Sequence, residues 1–84
     1  MSDTTSSTFS LVGRFDPLAM VRFAEARAHL LRVRVEVLTA TAHRIDIHTL
    51  GDPDLVGALE AACALAPGGN VVHDFTSTER KVSS

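Results

Sequence analysis

The sequence has no tryptophan or tyrosine and a single cysteine, and these scarcities exclude several classes of protein. One cysteine cannot form an internal disulfide framework. The formal net charge of −2 lacks the basic excess of a general nucleic-acid binder. No run of about 18 apolar residues is present, and no basic segment precedes an apolar run at the N-terminus. We therefore expect a cytoplasmic protein without a membrane segment.

The residues that are present predict one small domain. The chain has 84 residues, of which 45% are hydrophobic, and its four phenylalanines are its only large aromatic residues, so the core should be mostly aliphatic. Because a core of this size often gains stability through association, we expect a homodimer. Composition predicts a disordered lead over residues 1–7, a domain over 8–76 and a polar tail over 77–84.

The first half of the chain predicts a strand that leads directly into a helix. From Thr8 onward, apolar residues alternate with polar ones, which is the period of a strand with one buried face. Gly13 in this strand indicates a bulge, a close backbone approach or a small residue facing a helix, and we favour the last. Asp16 as N-cap and Pro17 at the first helical position predict a helix over 17–31. Its apolar side carries Met20, Phe23, Ala24, Ala28 and Leu31.

The second half predicts two more strands, a helix and a fourth strand. Alternating valines and charges at 32–37, and inward Ile45 and Ile47 within 43–49, indicate a hairpin whose connection has no turn signature and whose register stays open. Asp52 and Pro53 predict a second helix, which 67–70 ends, and 71–76 is the fourth strand. The apolar side of that helix is expected to hold Leu55, Leu59, Ala62 and Ala66, with Glu60 well away from it.

The element order β-α-β-β-α-β predicts a ferredoxin-like α+β fold, with two helices packed on one face of a four-stranded antiparallel sheet. This fold hosts many unrelated functions and by itself implies none of them. The other face of the predicted sheet carries mixed charges, which favours a solvated or self-pairing surface over an aromatic RNA-binding one. These residues are Arg14, Arg34, Glu36, Arg44, Asp46 and Asp74.

The run from Gly13 through Arg34, with its Arg-Phe-Asp-Pro junction, resembles the ACT domain, as do the strand around His43-Arg44-Ile45-Asp46-Ile47 and the following helix. Within that family it is most similar to the short regulatory subunit of acetolactate synthase. The resemblance implies a non-catalytic domain that pairs with a second copy, binds an amino acid and controls a larger catalytic subunit. By position, the ligand-binding residues are Phe15, Asp16, Pro17, Leu18 and Ala19. Leu18 stands where the ACT pattern has a glycine.

The segment from Gly51 to Gly68 is similar to the second half of acylphosphatase, which has the same element order. That resemblance implies a hydrolase with a glycine-rich phosphate loop, an arginine after strand one and an asparagine near the central hairpin. Arg14 and Arg22 are the candidates for this arginine, but 15–22 contains no glycine. Asn70, the only asparagine, lies at the wrong end of the sequence. We therefore favour a non-enzymatic module and keep an acylphosphatase-like hydrolase, or a pure dimerisation module, as alternatives.

No cofactor or metal site is predicted. Asp46 and His48 lie two residues apart on one strand face, but no third ligand can be assigned, so surface histidines are the better interpretation. Cys63 lies within an apolar helix and is expected to serve in packing.

Overall fold

The computed structural model describes residues 4–65 and 68–82. In this part of the chain the elements are β1 (Thr4–Arg14), α1 (Pro17–Leu31), β2 (Arg34–Ala40), β3 (Arg44–Gly51), α2 (Pro53–Ala64) and β4 (Val71–Val82). The strands form one antiparallel sheet in the order β2-β3-β1-β4. The predicted ferredoxin-like α+β fold is confirmed.

The core lies between one face of the sheet and the two helices. Residues of β1 alternate between buried and accessible along the whole strand, as a half-buried strand requires. The residues buried in this layer are Phe9, Leu11, Phe15, Val33, Ile45 and Ile47 from the sheet side, and Met20, Ala24, Ala28, Val56, Leu59 and Cys63 from the helices. Cys63 is fully buried, as predicted. The opposite face, called the outer face below, is covered by neither α1 nor α2.

Both helices begin as the sequence predicts. Asp16 precedes Pro17 and caps α1 by accepting a hydrogen bond from the Ala19 amide, at 3.3 Å. Asp52 caps α2 in the same way through the Asp54 amide, at 2.9 Å. Proline suits the first helical position because its missing N–H would have no partner there.

The sheet is longer than predicted, and the expected disordered lead and polar tail are wrong over most of their length. Thr4 to Ser7 belong to β1, and residues 77–82 belong to β4. The two strands pair from Thr4 with Val82 to Arg14 with Val71. The remaining parts of the predicted lead (1–3) and tail (83–84) lie outside the described residues.

Gly13 is needed for a close backbone approach, and the expectation of a small residue facing a helix is corrected. The β1–β4 register shifts between Val12 and Gly13, where β4 contributes an extra residue. A Cβ atom added to Gly13 would lie only 1.9 Å from the Val71 carbonyl oxygen. A side chain at this position is therefore incompatible with the present spacing of the strands.

Helix α2 is rotated relative to the prediction. Its buried residues are Val56, Leu59 and Cys63, whereas Leu55 is 37% exposed. The predicted Ala66 lies outside the described residues. Glu60, expected to lie away from the core, is half-buried and accepts hydrogen bonds from two strand serines. The buried side of α2 therefore includes the predicted Leu59, but has Val56 and Cys63 where Leu55 and Ala62 were predicted.

The β2–β3 hairpin turns through a threonine. The Thr41 Oγ1 atom accepts hydrogen bonds from the amides of His43 and Arg44, at 3.2 and 2.9 Å. Its amide donates to the Arg44 carbonyl at 2.8 Å. A threonine hydroxyl can replace part of a backbone turn in this way, so the hairpin needs no glycine or asparagine.

Candidate functional site

The candidate site predicted by the ACT resemblance is the junction between β1 and α1. Phe15 donates its amide hydrogen to the Ala42 carbonyl at 2.8 Å, which ties the junction to the β2–β3 hairpin. The Met20 amide donates to the Asp16 carbonyl at 3.0 Å, which closes the first turn of α1. The junction is therefore held by neighbouring backbone on both sides.

Asn70 lies beside this junction. Its side-chain oxygen accepts a hydrogen bond from the Asp16 amide at 2.6 Å, although the two residues are 54 positions apart. Asn70 stands immediately before β4, and β4 is antiparallel to β1, so the start of β4 meets the end of β1. Although Asn70 is distant from the β1–α1 junction in the sequence, the fold brings it there.

The five predicted ligand-binding residues differ in accessibility. Phe15 is 8% exposed and belongs to the core, so its side chain is not available to a ligand. Pro17 is half-buried, whereas Asp16 and Ala19 are exposed. Leu18 is 59% exposed. The accessible chemistry of the junction is therefore one carboxylate and one large apolar side chain.

The charge at the start of α1 disfavours an anionic ligand. The N-terminal amides and dipole of a helix attract anions, but here the Asp16 carboxylate already accepts from the Ala19 amide. A phosphate at the same place would meet a like charge. Arg14 and Arg22, the two candidate arginines, are both exposed and neither forms an ion pair with another described residue.

The outer face carries a polar network that the sequence analysis did not find. The ring of His48 lies between two β1 hydroxyls, with Nε2 3.3 Å from Ser6 Oγ and Nδ1 3.0 Å from Thr8 Oγ1. Asp46 forms an ion pair with Arg44, at 2.9 Å between Oδ2 and Nε. Ser6 was missed because it falls in the predicted disordered lead over 1–7, whereas Thr8 lies at the start of the predicted first strand. The available signal was a run of threonine and serine at 4–8 that continues directly into the predicted strand.

The pKa of Asp46 is lowered by its surroundings. Burial acts to raise it, but hydrogen bonds from the side chains of Arg44, Ser10 and Thr39, together with the positive charge of Arg44, outweigh that effect. Thr39 and Ser10 belong to the strands on either side of β3, so Asp46 links three strands across the outer face.

A second polar cluster lies on the inner face. Glu60 Oε2 accepts hydrogen bonds from Ser7 Oγ at 2.8 Å and from Ser77 Oγ at 2.7 Å, and the two hydroxyls are 3.1 Å apart. Thr49 donates its hydroxyl to the Ser7 carbonyl at 3.1 Å. These bonds satisfy the hydroxyls of Ser7 and Thr49, which are buried, whereas Ser77 is exposed, so the cluster has a structural role.

Burial raises the pKa of the Cys63 thiol to about 11, which keeps it protonated and unreactive near neutral pH. Within residues 4–65 and 68–82, no three histidine, cysteine or acidic side chains come together in a group able to hold a metal ion. In the same ranges, no helix has the length and apolar character that crossing a membrane requires.

Comparisons with known proteins agree with the fold class of this chain. No family model matches the sequence, and no curated protein matches it. Among solved structures, the chain is similar to a PII-like nitrogen regulatory protein from Thiomonas intermedia K12, with a TM-score of 0.59 and 14% identity over 96% of each chain. The present chain is thus a small ferredoxin-like domain.

The chain has higher TM-scores with two acylphosphatases. An acylphosphatase from Coxiella burnetii has a TM-score of 0.83 and 15% identity, over 98% of this chain and 86% of that one. An acylphosphatase from Bacillus subtilis has a TM-score of 0.81 and 17% identity, over 90% of this chain and 84% of that one. At these identities the likeness shows the fold alone.

Proposed function

We propose that this chain is a non-catalytic regulatory module that binds a small amino acid and controls a partner enzyme of amino-acid biosynthesis, as the ACT resemblance implies. The observation that carries the proposal is the Asp16 carboxylate at the N-terminus of α1. This carboxylate is negatively charged and lies at the β1–α1 junction, where an acylphosphatase-like hydrolase would need to bind a phosphate. The Asp16 charge would repel that phosphate and therefore favours a non-catalytic role.

The catalytic alternative is weakened by the same junction. Phosphoryl transfer depends almost entirely on positioned donors that stabilise negative charge. Here the Ala19 amide donates to Asp16, and the Asp16 amide donates to Asn70. Donors that are already engaged with protein oxygens are poorly suited to hold a transferring phosphate.

An amino acid suits the accessible groups better. The exposed Asp16 carboxylate attracts the ammonium group of a ligand, and the exposed Leu18 offers apolar surface to an aliphatic side chain. A branched-chain amino acid such as leucine combines both features. Residues 15–19 include no cation for the ligand carboxylate, so we infer that the exposed Arg14, at the end of β1, meets it.

A homodimer is part of the proposal. The strands β2 and β4 are the two edges of the sheet, and edge strands present unpaired backbone groups to another chain. The small core provides the thermodynamic reason for pairing, since burial of further apolar surface adds stability.

The test is thermal unfolding against a panel of amino acids, with the oligomeric state measured in the same samples. A ligand that binds only the folded protein raises the melting temperature by mass action. Asp16→Asn is the matched variant, because asparagine caps helices as well as aspartate does but has no charge. We expect valine, leucine or isoleucine to raise the melting temperature of the wild type, with a smaller effect on Asp16→Asn.

An acylphosphatase-like hydrolase is the second candidate, favoured by the structural likeness and by Asn70 at the junction. Hydrolysis of benzoyl phosphate by the wild type, at a rate that decreases in the Asn70→Ala variant, would establish this activity and refute the non-catalytic proposal. A stable dimer that responds to no amino acid and turns over no acyl phosphate would instead identify a pure dimerisation module.

A further inference from the structure

The outer face has a cavity of about 260 Å³ at the edge of the sheet. Its lining residues are Arg34, Val35, Glu36, His48 and Leu50. In the sheet register, Arg34 pairs with Leu50 and Glu36 pairs with His48, so two rungs of β2 and β3, separated by the Val35–Thr49 rung, form the cavity. It is slightly smaller than typical ligand pockets, which start at about 300 Å³, and so suits a small metabolite.

Two opposite charges border this cavity without neutralising each other. Arg34 and Glu36 are two residues apart on one strand and are both exposed, so their Cα atoms are separated by roughly 6.6 Å. Neither forms an ion pair with another residue in the described ranges. Arg44 and Asp46, also two residues apart on this face, do pair with each other, at 2.9 Å. The contrast shows that the spacing permits pairing and that Arg34 and Glu36 remain available.

The other walls of the cavity are held in place. The Ser6 and Thr8 hydroxyls contact both ring nitrogens of His48, which fixes the ring toward β1 and away from Glu36. Leu50 is half-buried and presents apolar surface. The cavity therefore combines a cation, an anion and an apolar wall.

We propose that this cavity binds the zwitterion of a free α-amino acid. The Arg34 guanidinium receives the α-carboxylate, a pairing for which its fork of N–H donors is suited. The Glu36 carboxylate receives the α-ammonium group, and the ligand side chain lies over Leu50. Both charges come from one strand, β2. The inference shares its ligand class with the proposed function but names a different site.

The experiment is a titration of the ¹⁵N-labelled protein with L-leucine, followed by amide chemical shifts. We expect shifts to concentrate at 34–36 and 48–50. Two analogues serve as probes: 4-methylpentanoate lacks the ammonium group and 3-methylbutylamine lacks the carboxylate. Each should bind at least about tenfold more weakly, because one charged hydrogen-bonded contact is lost.

Variants then test the two charges separately. Arg34→Gln and Glu36→Gln should each weaken leucine binding by about tenfold or more. The matched controls are Arg27→Gln and Glu25→Gln on α1, which make the same charge changes at exposed positions on the other side of the molecule. These controls should bind leucine as the wild type does.

The outcomes separate this inference from the proposed function. Leucine shifts confined to residues 15–19 would overturn the outer-face site and leave the proposed function standing. Shifts at 34–36 that depend on protein concentration and not on leucine would mean that a second copy pairs with β2, which also overturns the site. No leucine binding at either place refutes both. Leucine binding at the outer face together with acyl phosphate turnover would support the site and refute the proposed function.

Discussion

Substitution of Gly13 by alanine tests the close approach between β1 and β4. The added Cβ atom would lie 1.9 Å from the Val71 carbonyl oxygen and 2.9 Å from the Val71 carbonyl carbon, both of which are backbone atoms. Non-bonded atoms make favourable contact at about 3.5 Å, so the strands must separate by roughly 1.5 Å at this point. No side-chain rotation can relieve the contact.

The cost follows from that separation. Overpacking typically destabilises by about 1–3 kcal/mol, and each weakened ladder hydrogen bond adds about 1 kcal/mol. We expect Gly13→Ala to lose about 2–4 kcal/mol, a large part of the roughly 4–13 kcal/mol available to a domain of this length. The melting temperature should fall by about 8 °C or more.

Gly57→Ala is the matched control. Gly57 lies inside α2, is exposed, and has no atom within 4 Å of where its Cβ would be. Alanine there should stabilise the protein by about 0.5–1 kcal/mol, since glycine is the poorer helix former. Urea unfolding should be followed by circular dichroism, because the chain has no tryptophan or tyrosine for fluorescence. A Gly13→Ala protein as stable as the wild type would refute the reasoning.

Three further predictions concern Asp16, Asp46 and Cys63. Asp16→Ala should cost about 1 kcal/mol in urea unfolding through loss of the helix cap, whereas Asp16→Asn should cost little. Asp46→Asn should lower stability by on the order of 1 kcal/mol at neutral pH. Because the pKa of Asp46 is lowered in the folded state, its contribution is full above its ordinary value of 3.8 and is lost as the pH falls below it. At pH 7, the native Cys63 thiol should react with iodoacetamide at least about a hundredfold more slowly than the urea-unfolded chain, because burial raises its pKa from 9.0 to about 11.

Each of these predictions has a contradicting result. Equal stability of Asp16→Ala and Asp16→Asn would show that the cap contributes nothing. A stability difference between the wild type and Asp46→Asn that stays constant below pH 3.8 would contradict the lowered pKa of Asp46. Equal labelling of native and unfolded protein would mean that Cys63 is accessible.

The elements with strong local signals were predictable. The helix α1 has an N-cap, a proline at its first position and an apolar side with the helical period, and the structure gives it the predicted limits. The ends of β1 and β4 were not predictable from hydrophobic alternation. Their inward positions include Thr5 and Ser7, which are buried and polar. Hydrogen bonds with Glu60 and Thr49 make burial of this region tolerable, and those partners are distant in sequence.

The candidate site shows the same limit. The resemblance marked residues 15–19, but it did not reveal that Phe15 is in the core or that Asn70 contacts Asp16. The Asn70 contact depends on the antiparallel pairing of β1 with β4, which joins opposite ends of the chain. The outer-face cavity likewise depends on the β2–β3 register, which the hairpin sequence left open. Local sequence patterns therefore predict the helices and strands, whereas the pairing of strands that are distant in sequence determines which side chains come into contact.

The pairing of Thr4 with Val82 has a mechanical consequence. A pulling force applied to the first and last described residues acts on one end of the antiparallel β1–β4 pair. Such a force breaks the β1–β4 hydrogen bonds one after another, from Thr4 toward Arg14, because it acts on only one pair of residues at a time. The strands should therefore unzip at low force, and β4 should detach before the helices and the β2–β3 hairpin are stretched.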